Sequence, residues 1–112
     1  MKIKVNCIAP KYVRGDYEFH TFEELYNFLF RIKGLAKKYL STWLYAVAKD
    51  GSISMHSARC VIEIKSDFHD YDLANKVAQK VGRFKDPENR NLALIFAKTL
   101  DKEIVKRKEA NR

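Results

Sequence analysis

Three side chains between positions 56 and 63 have the types needed to cleave RNA without a metal: His56, Arg59 and Glu63. A metal-independent ribonuclease needs a base, an acid and a cation beside the scissile phosphate, and these residues supply all of them. A single histidine in a strand is more often structural or solvent-facing. The sequence therefore favours a non-enzymatic protein, with a small metal-independent ribonuclease as an alternative.

The spacing of the other reactive residues is not typical of a metal, phosphate or cofactor site. His56 and Cys60 stand four apart, but they flank a predicted turn, and neither a CxxC nor an HExxH pattern occurs. The glycines are isolated, so the sequence has no glycine-rich phosphate loop. We therefore predict no catalytic residues, no metal ligands and no cofactor.

The strong positive charge favours an anionic partner. Lys and Arg number 22 against 14 acids, which gives a net charge of +8. Such a balance suits nucleic acid, or the acidic surface of a protein that handles nucleic acid. The leading hypothesis is a small regulatory protein that binds one of these two partners.

Two basic stretches are candidate nucleic-acid contacts. One is a row on the predicted helix over 73–85, where counterion release on binding phosphates would favour association. The other is an acid-free stretch over 25–49, in which Tyr39, Trp43 and Tyr45 could stack on bases. For either stretch, the alternative is an ordinary solvated surface. The predicted contacts are Lys76, Lys80, Arg83 and Lys85 in the first stretch, and Arg31, Lys37 and Lys38 in the second.

Apolar residues outside the expected core faces suggest a protein interface. Phe28 and Phe30 widen the apolar face of the predicted helix over 22–40, and Leu94 and Ile95 widen that of the last helix. Surplus apolar surface marks interaction sites, including a homodimer contact. The alternative function is therefore a protein-binding inhibitor or adaptor of the kind that phages and mobile elements encode.

Length and the cysteine pattern fit a cytoplasmic protein. The 112 residues suffice for a single α+β domain over 1–112, with a basic end over 106–112 that could fray. The N-terminal segment lacks the apolar core of a signal peptide, and no run is long enough for a membrane span. We therefore expect no membrane partner, and reduced, buried thiols at Cys7 and Cys60.

The elements that position these residues are predicted in the order β–(β)–α–β–β–β–α–α. The central sheet is predicted over Trp43–Lys65, with a type I′ turn at Asp50-Gly51 joining its first two strands. The fold class is α+β: an antiparallel sheet of three to five strands with one face covered by helices.

Helix boundaries are predicted from capping signals. Thr21 and Glu24 form a capping box at the first helix, and Asp86 and Pro87 signal the start of the last one. Whether Phe22–Leu40 is one helix or two, broken near Gly34, stays open at this point.

Overall fold

The computed structural model describes residues 1–86 and 89–110. In this part of the chain, strands form one antiparallel sheet in the order β2-β1-β4-β3. The hairpin β3–β4 therefore lies beside β1, and β2 and β3 are the edges. The strands are β1 (Ile3–Ala9), β2 (Gly15–Phe19), β3 (Ser52–His56) and β4 (Val61–Ser66).

Alternation along the strands separates a covered face from an open one. On β1, Val5 and Cys7 are buried and Asn6 between them is exposed. Their partners on β4 are Ile64 and Ile62, which are also fully buried. Successive side chains of a strand point to opposite faces, so one face is apolar and packed while the other is polar and wet.

The helices lie on the apolar face, and α1 and α2 contact the sheet. The last helix, α4, packs against α1, α2 and α3, and Phe96 and Leu100 of α4 are fully buried. The predicted α+β class, with an antiparallel sheet covered on one face, is confirmed. The helices are α1 (Phe22–Arg31), α2 (Leu40–Asp50), α3 (Tyr71–Val81) and α4 (Arg90–Ala110).

The predicted strand at Trp43–Ala48 is wrong, because these residues belong to α2. Leu40, Leu44 and Val47 are buried at helical spacing. The segment is apolar at nearly every position, so its β-branched and aromatic residues mimicked strand alternation. Gly51 accordingly does not form a type I′ turn. It has φ +84° and ends α2 through its amide, which donates to the Val47 carbonyl at 2.8 Å.

Phe22–Leu40 is not a single helix. Helix α1 ends at Arg31, Gly34 follows with φ +87°, and a 3₁₀ turn over Lys37–Tyr39 leads into α2. The predicted start of the last helix at Asp86-Pro87-Glu88 lies partly outside the described residues. The basic end is helical as far as Ala110.

Helix ends are tied down by carboxylates from other parts of the chain. The capping box at α1 is confirmed in part: Glu24 N donates to Thr21 Oγ1 at 3.1 Å, while the Glu24 carboxylate accepts from the amide of His20 rather than from that of Thr21. Asp101 of α4 accepts from the first two amides of α1, at 2.8 and 3.0 Å. Burial raises the pKa of Asp101, and these two hydrogen bonds act in the opposite direction. α4 therefore holds the start of α1 across 79 residues of sequence.

No helix of the described residues is long and apolar enough to cross a membrane.

Candidate nucleic-acid interface

Arg83 is not available to a phosphate, although it belongs to the predicted row. Helix α3 stops at Gly82, which has φ +77°, so the chain turns and carries Arg83 back towards α2. Its Nε donates to the Ser41 carbonyl at 3.0 Å, and its guanidinium lies 4.4 Å from the Tyr45 ring centroid. Burial also lowers the pKa of this group. Arg83 is a packing residue that joins α2 to the end of α3, and its burial argues against the predicted contact with a phosphate.

The other predicted bases of this row are exposed, and one of them, Lys80, lies beside a carboxylate. Lys80 Nζ lies 3.8 Å from Glu103 Oε1 of α4, and Lys106 Nζ lies 3.6 Å from the same oxygen. Lys76 and Lys85 are exposed. An anion at this surface would have to compete with Glu103, so the row is a weaker phosphate site than its sequence suggests.

In the second predicted stretch, Lys37 turns inward and caps α1. Its Nζ donates to the carbonyls of Ile32 at 2.6 Å and Leu29 at 3.3 Å, both at the C-terminal end of α1. Burial lowers the pKa of Lys37; Cys60 acts against this shift and Arg90 reinforces it. Lys37 Nζ is therefore engaged by carbonyls at the end of α1, which makes it a poor candidate for a phosphate contact.

The other bases around the end of α1 are exposed. Arg31 ends the helix, Lys33 follows it, and Lys38 places its Nζ 5.1 Å from the Tyr39 ring centroid. Two further bases reach the same end from distant parts of the sequence. Arg59, in the β3–β4 turn, packs on Gly34: a Cβ at Gly34 would lie 3.5 Å from two carbons of the Arg59 side chain. Arg90, the first residue of α4, lines a shallow cavity together with Phe30.

Two aromatic rings are exposed among these bases. Phe30 is 39% exposed and its ring centroid lies 5.7 Å from that of Tyr26. Tyr39 is 44% exposed and lies 5.8 Å from Trp43. Each exposed ring is thus held by a second ring. We call this surface the basic aromatic end, and it consists of Phe30, Arg31, Lys33, Lys38, Tyr39, Arg59 and Arg90.

Among the described residues, few carboxylates lie around the basic aromatic end. The sequence carries no acid over 25–49 or over 51–62, which together contain most of its residues. Asp86 lines a shallow cavity with Phe30 and Arg90, and Glu24 lines another with Arg31. Sequence reasoning placed Arg31 and Lys38 here but missed Lys33, Arg59 and Arg90 as contacts. The last two enter only through tertiary packing.

The open face of the sheet has no such charge bias. A cavity there is lined by Lys4 and Lys65, but also by Asp16, Glu18 and Glu63. Since both signs of charge are interleaved, this face favours no anionic partner over a cationic one.

The predicted interface residues do not form one apolar patch. Phe28 is half-buried between α1 and the sheet, with ring centroids 4.6 Å from Tyr17 and 5.2 Å from Phe19. Ile95 is 46% exposed on α4, and Leu94 beside it is half-buried. Phe30 belongs to the basic aromatic end, and the homodimer stays a prediction.

The ribonuclease candidates do not converge. The β3–β4 register pairs His56 with Val61 and Ser54 with Glu63, so His56 and Glu63 belong to neighbouring pairs on the open face of the sheet. The Arg59 side chain instead packs at Gly34, in the helical layer. Among the described residues, no group of three or more His, Cys, Asp or Glu side chains is placed to hold a metal ion.

The cysteines are free and buried thiols. Burial raises the pKa of both Cys7 and Cys60. Protonated, buried thiols are poor nucleophiles, so neither is a candidate for covalent chemistry.

Comparison with protein-family models, with curated proteins and with solved structures finds no match for this chain.

Proposed function

We propose that the protein binds single-stranded nucleic acid at the basic aromatic end. The observation that carries this proposal is the meeting of exposed cations and exposed rings on a surface that draws most of its residues from the acid-free stretches 25–49 and 51–62. Backbone phosphates would contact the cations, and bases would stack on the rings. This combination is the usual basis of single-strand binding without strict sequence preference.

The charges there set the expected salt dependence. Five exposed bases belong to the surface: Arg31, Lys33, Lys38, Arg59 and Arg90. Each phosphate neutralised on a single strand contributes about 0.7 to the slope of log affinity against log salt. Full engagement therefore predicts a slope of roughly −3 to −3.5.

The rings supply the part of the affinity that salt does not remove. Stacking of one base on an aromatic side chain is worth about 1–3 kcal/mol. Tyr39 is a candidate for such stacking, because its exposed ring lies beside that of Trp43 and close to the Lys38 ammonium. Replacing Tyr39 by Ala should therefore weaken binding by about tenfold while leaving the salt slope unchanged.

The test compares two triple variants that remove equal charge from different places. The first changes Arg31, Lys33 and Lys38 to Ala, and the second changes Lys76, Lys80 and Lys85 to Ala. Fluorescence anisotropy with oligo(dT) and oligo(U) of about 12 nucleotides reports affinity, because this length fits one single-strand site. Circular dichroism checks that both variants keep the native fold.

The proposal predicts that the first triple variant loses most of the affinity and flattens the salt slope by about 2. The second should retain most of the wild-type affinity. Equal losses in the two variants would mean that net charge alone drives binding, and would refute a site at the basic aromatic end. Absence of binding by the wild-type protein would refute the function itself.

A further inference from the structure

The two edges of the sheet are protected differently. β2 carries Asp16 and Glu18, and charged residues on an edge strand discourage pairing with another chain. β3 has the sequence Ser-Ile-Ser-Met-His over 52–56, with no Lys, Arg, Asp, Glu or Pro. Within the described residues, β3 pairs with β4 and no strand lies on its other side. β3 is therefore an unprotected edge.

Hydrogen bonds at the two ends of the hairpin show which backbone groups of β3 face outward. Ser66 N donates to the Gly51 carbonyl at 2.7 Å, and Ser57 N donates to the Cys60 carbonyl at 2.8 Å. Antiparallel ladders alternate hydrogen-bonded and non-hydrogen-bonded pairs. Ile53 and Met55 therefore bond to β4, while the N–H and C=O groups of Ser52, Ser54 and His56 point away from the sheet.

A groove of about 480 Å³ runs beside this edge. Its strand side includes Ile53 and Met55, and its helical side includes Leu35, Tyr39 and Trp43. Trp43 is half-buried, so part of its ring faces the groove. An edge strand beside an apolar groove is the arrangement that accepts an extended peptide, with alternate side chains entering the groove.

We propose that the β3 edge and this groove bind an extended segment of an acidic protein, which adds to the sheet as a further strand. The acidic character follows from charge complementarity, because Lys38 and Arg59 lie next to groove residues and the chain has no acid over 51–62. A second copy of the chain is disfavoured by its own net charge of +8. The groove shares Tyr39, and its flanking bases Lys38 and Arg59, with the basic aromatic end, so an acidic strand and an oligonucleotide would compete there. The backbone pairing with β3 does not depend on nucleic-acid binding.

The test uses two fluorescein-labelled peptides of about ten residues, one alternating Val with Glu and the other alternating Val with Lys, a length that spans an edge strand. Ser54→Pro removes an outward N–H and is compatible with an edge strand. Ser54→Ala is the matched control, because it keeps that N–H. The proposal predicts at least tenfold tighter binding of the acidic peptide than of the basic one. It also predicts at least a tenfold loss for Ser54→Pro and little change for Ser54→Ala.

Hydrogen exchange on the wild-type protein provides a readout that needs no variant. The acidic peptide should protect the amides of Ser52, Ser54 and His56 from exchange. The proposal would be overturned if the acidic peptide did not bind at concentrations up to about 1 mM, or if both peptides bound with equal affinity. It would also be overturned if the β3 amides stayed unprotected in the complex. Protection of these amides by oligo(dT), or a concentration-dependent dimer that Ser54→Pro abolishes, would overturn it as well. If the Ser54→Pro variant binds oligonucleotides as tightly as wild type, the proposed function stands even when the peptide results overturn the β3 proposal.

Discussion

The contact between Asp70 and Arg107 should anchor the basic C-terminal helix to the rest of the fold. Asp70 Oδ1 accepts from Leu73 N at 2.9 Å as the N-cap of α3, and Oδ2 accepts from Arg107 Nη1. The Asp70 amide also donates to the Ala48 carbonyl at 2.8 Å. One residue thus joins the end of α2, the start of α3 and the last turns of α4.

Replacing Asp70 by Ala should cost about 2 kcal/mol of unfolding free energy. Loss of the N-cap accounts for about 1 kcal/mol. Loss of the ion pair accounts for about 0.5 kcal/mol, because the Asp70 and Arg107 side chains are 26% and 50% exposed. The lost interaction of the carboxylate with the α3 dipole adds about 0.5 kcal/mol. Asp70→Asn keeps an N-cap and should cost about half as much.

Thermal and urea unfolding, followed by circular dichroism, measure these changes. For a domain of this length, Asp70→Ala should lower Tm by about 6–10 °C. A double-mutant cycle with Arg107→Ala isolates the ion pair and should give a coupling energy of about 0.5–1 kcal/mol. Lys108→Ala is the control, because it removes a charge from the same turn and should change stability by less than about 0.5 kcal/mol.

The same contact predicts a pH dependence. The Leu73 amide, followed by the Arg107 guanidinium, lowers the pKa of Asp70. A lowered folded-state pKa stabilises the protein above the unfolded value, about 3.9, and this contribution is lost as pH falls through the folded-state pKa. The stability gap between wild type and Asp70→Asn should therefore be full at pH 7 and shrink below about pH 4. A gap that is independent of pH, or a coupling energy of zero, would refute the account of this contact.

Three further predictions concern packing and helix ends. Arg83→Ala should lower the free energy of unfolding by about 2–4 kcal/mol, because packing, a hydrogen bond and a cation–π contact are lost. The folded variant should bind oligonucleotides as tightly as wild type. A loss of affinity without a loss of stability would show that Arg83 contacts the nucleic acid. Asp101→Ala should cost about 2–3 kcal/mol in urea unfolding because two amides of α1 lose their acceptor, and a cost below about 0.5 kcal/mol would show that water replaces the carboxylate. Gly51→Ala should lower Tm more than Gly82→Ala does. Both glycines have positive φ, but only a Cβ at Gly51 would lie 3.0 Å from the His69 ring. An equal loss of stability in the two variants would mean that the His69 side chain moves away freely.

The sheet and most helices followed from local patterns in the sequence. Strand β1 shows clean alternation of apolar and polar residues, and α3 shows a clean helical stripe. The segment over 43–48 was mistaken for a strand because all of its residues are apolar, so strand alternation and a helical stripe fit it equally well. A helix can be apolar nearly all round here because α2 is largely enclosed by other elements. Periodicity cannot separate strand from helix in such a segment. Asp50 and Gly51, which suggested a hairpin turn, lie instead at the C-terminal end of α2, and β3 follows directly.

The candidate site was only partly predictable. Arg31 and Lys38 are close in sequence and carry an obvious charge pattern. Arg59 and Arg90 reach the same surface because the β3–β4 turn and the start of α4 pack near the end of α1, and no local signal encodes that packing. Arg83 was misassigned for the converse reason: a helical wheel continued past Gly82 places it on a solvent face that the chain has already left.

The measurement that tests the central claim most directly is a salt titration of oligo(dT) binding from about 0.05 M to about 0.5 M salt, with the two triple variants measured beside wild type. The account predicts a wild-type slope of roughly −3, a slope near −1 for the variant that lacks Arg31, Lys33 and Lys38, and a near-wild-type slope for the variant that lacks Lys76, Lys80 and Lys85. A slope that falls equally in both variants, or that falls only in the second, would contradict binding at the basic aromatic end.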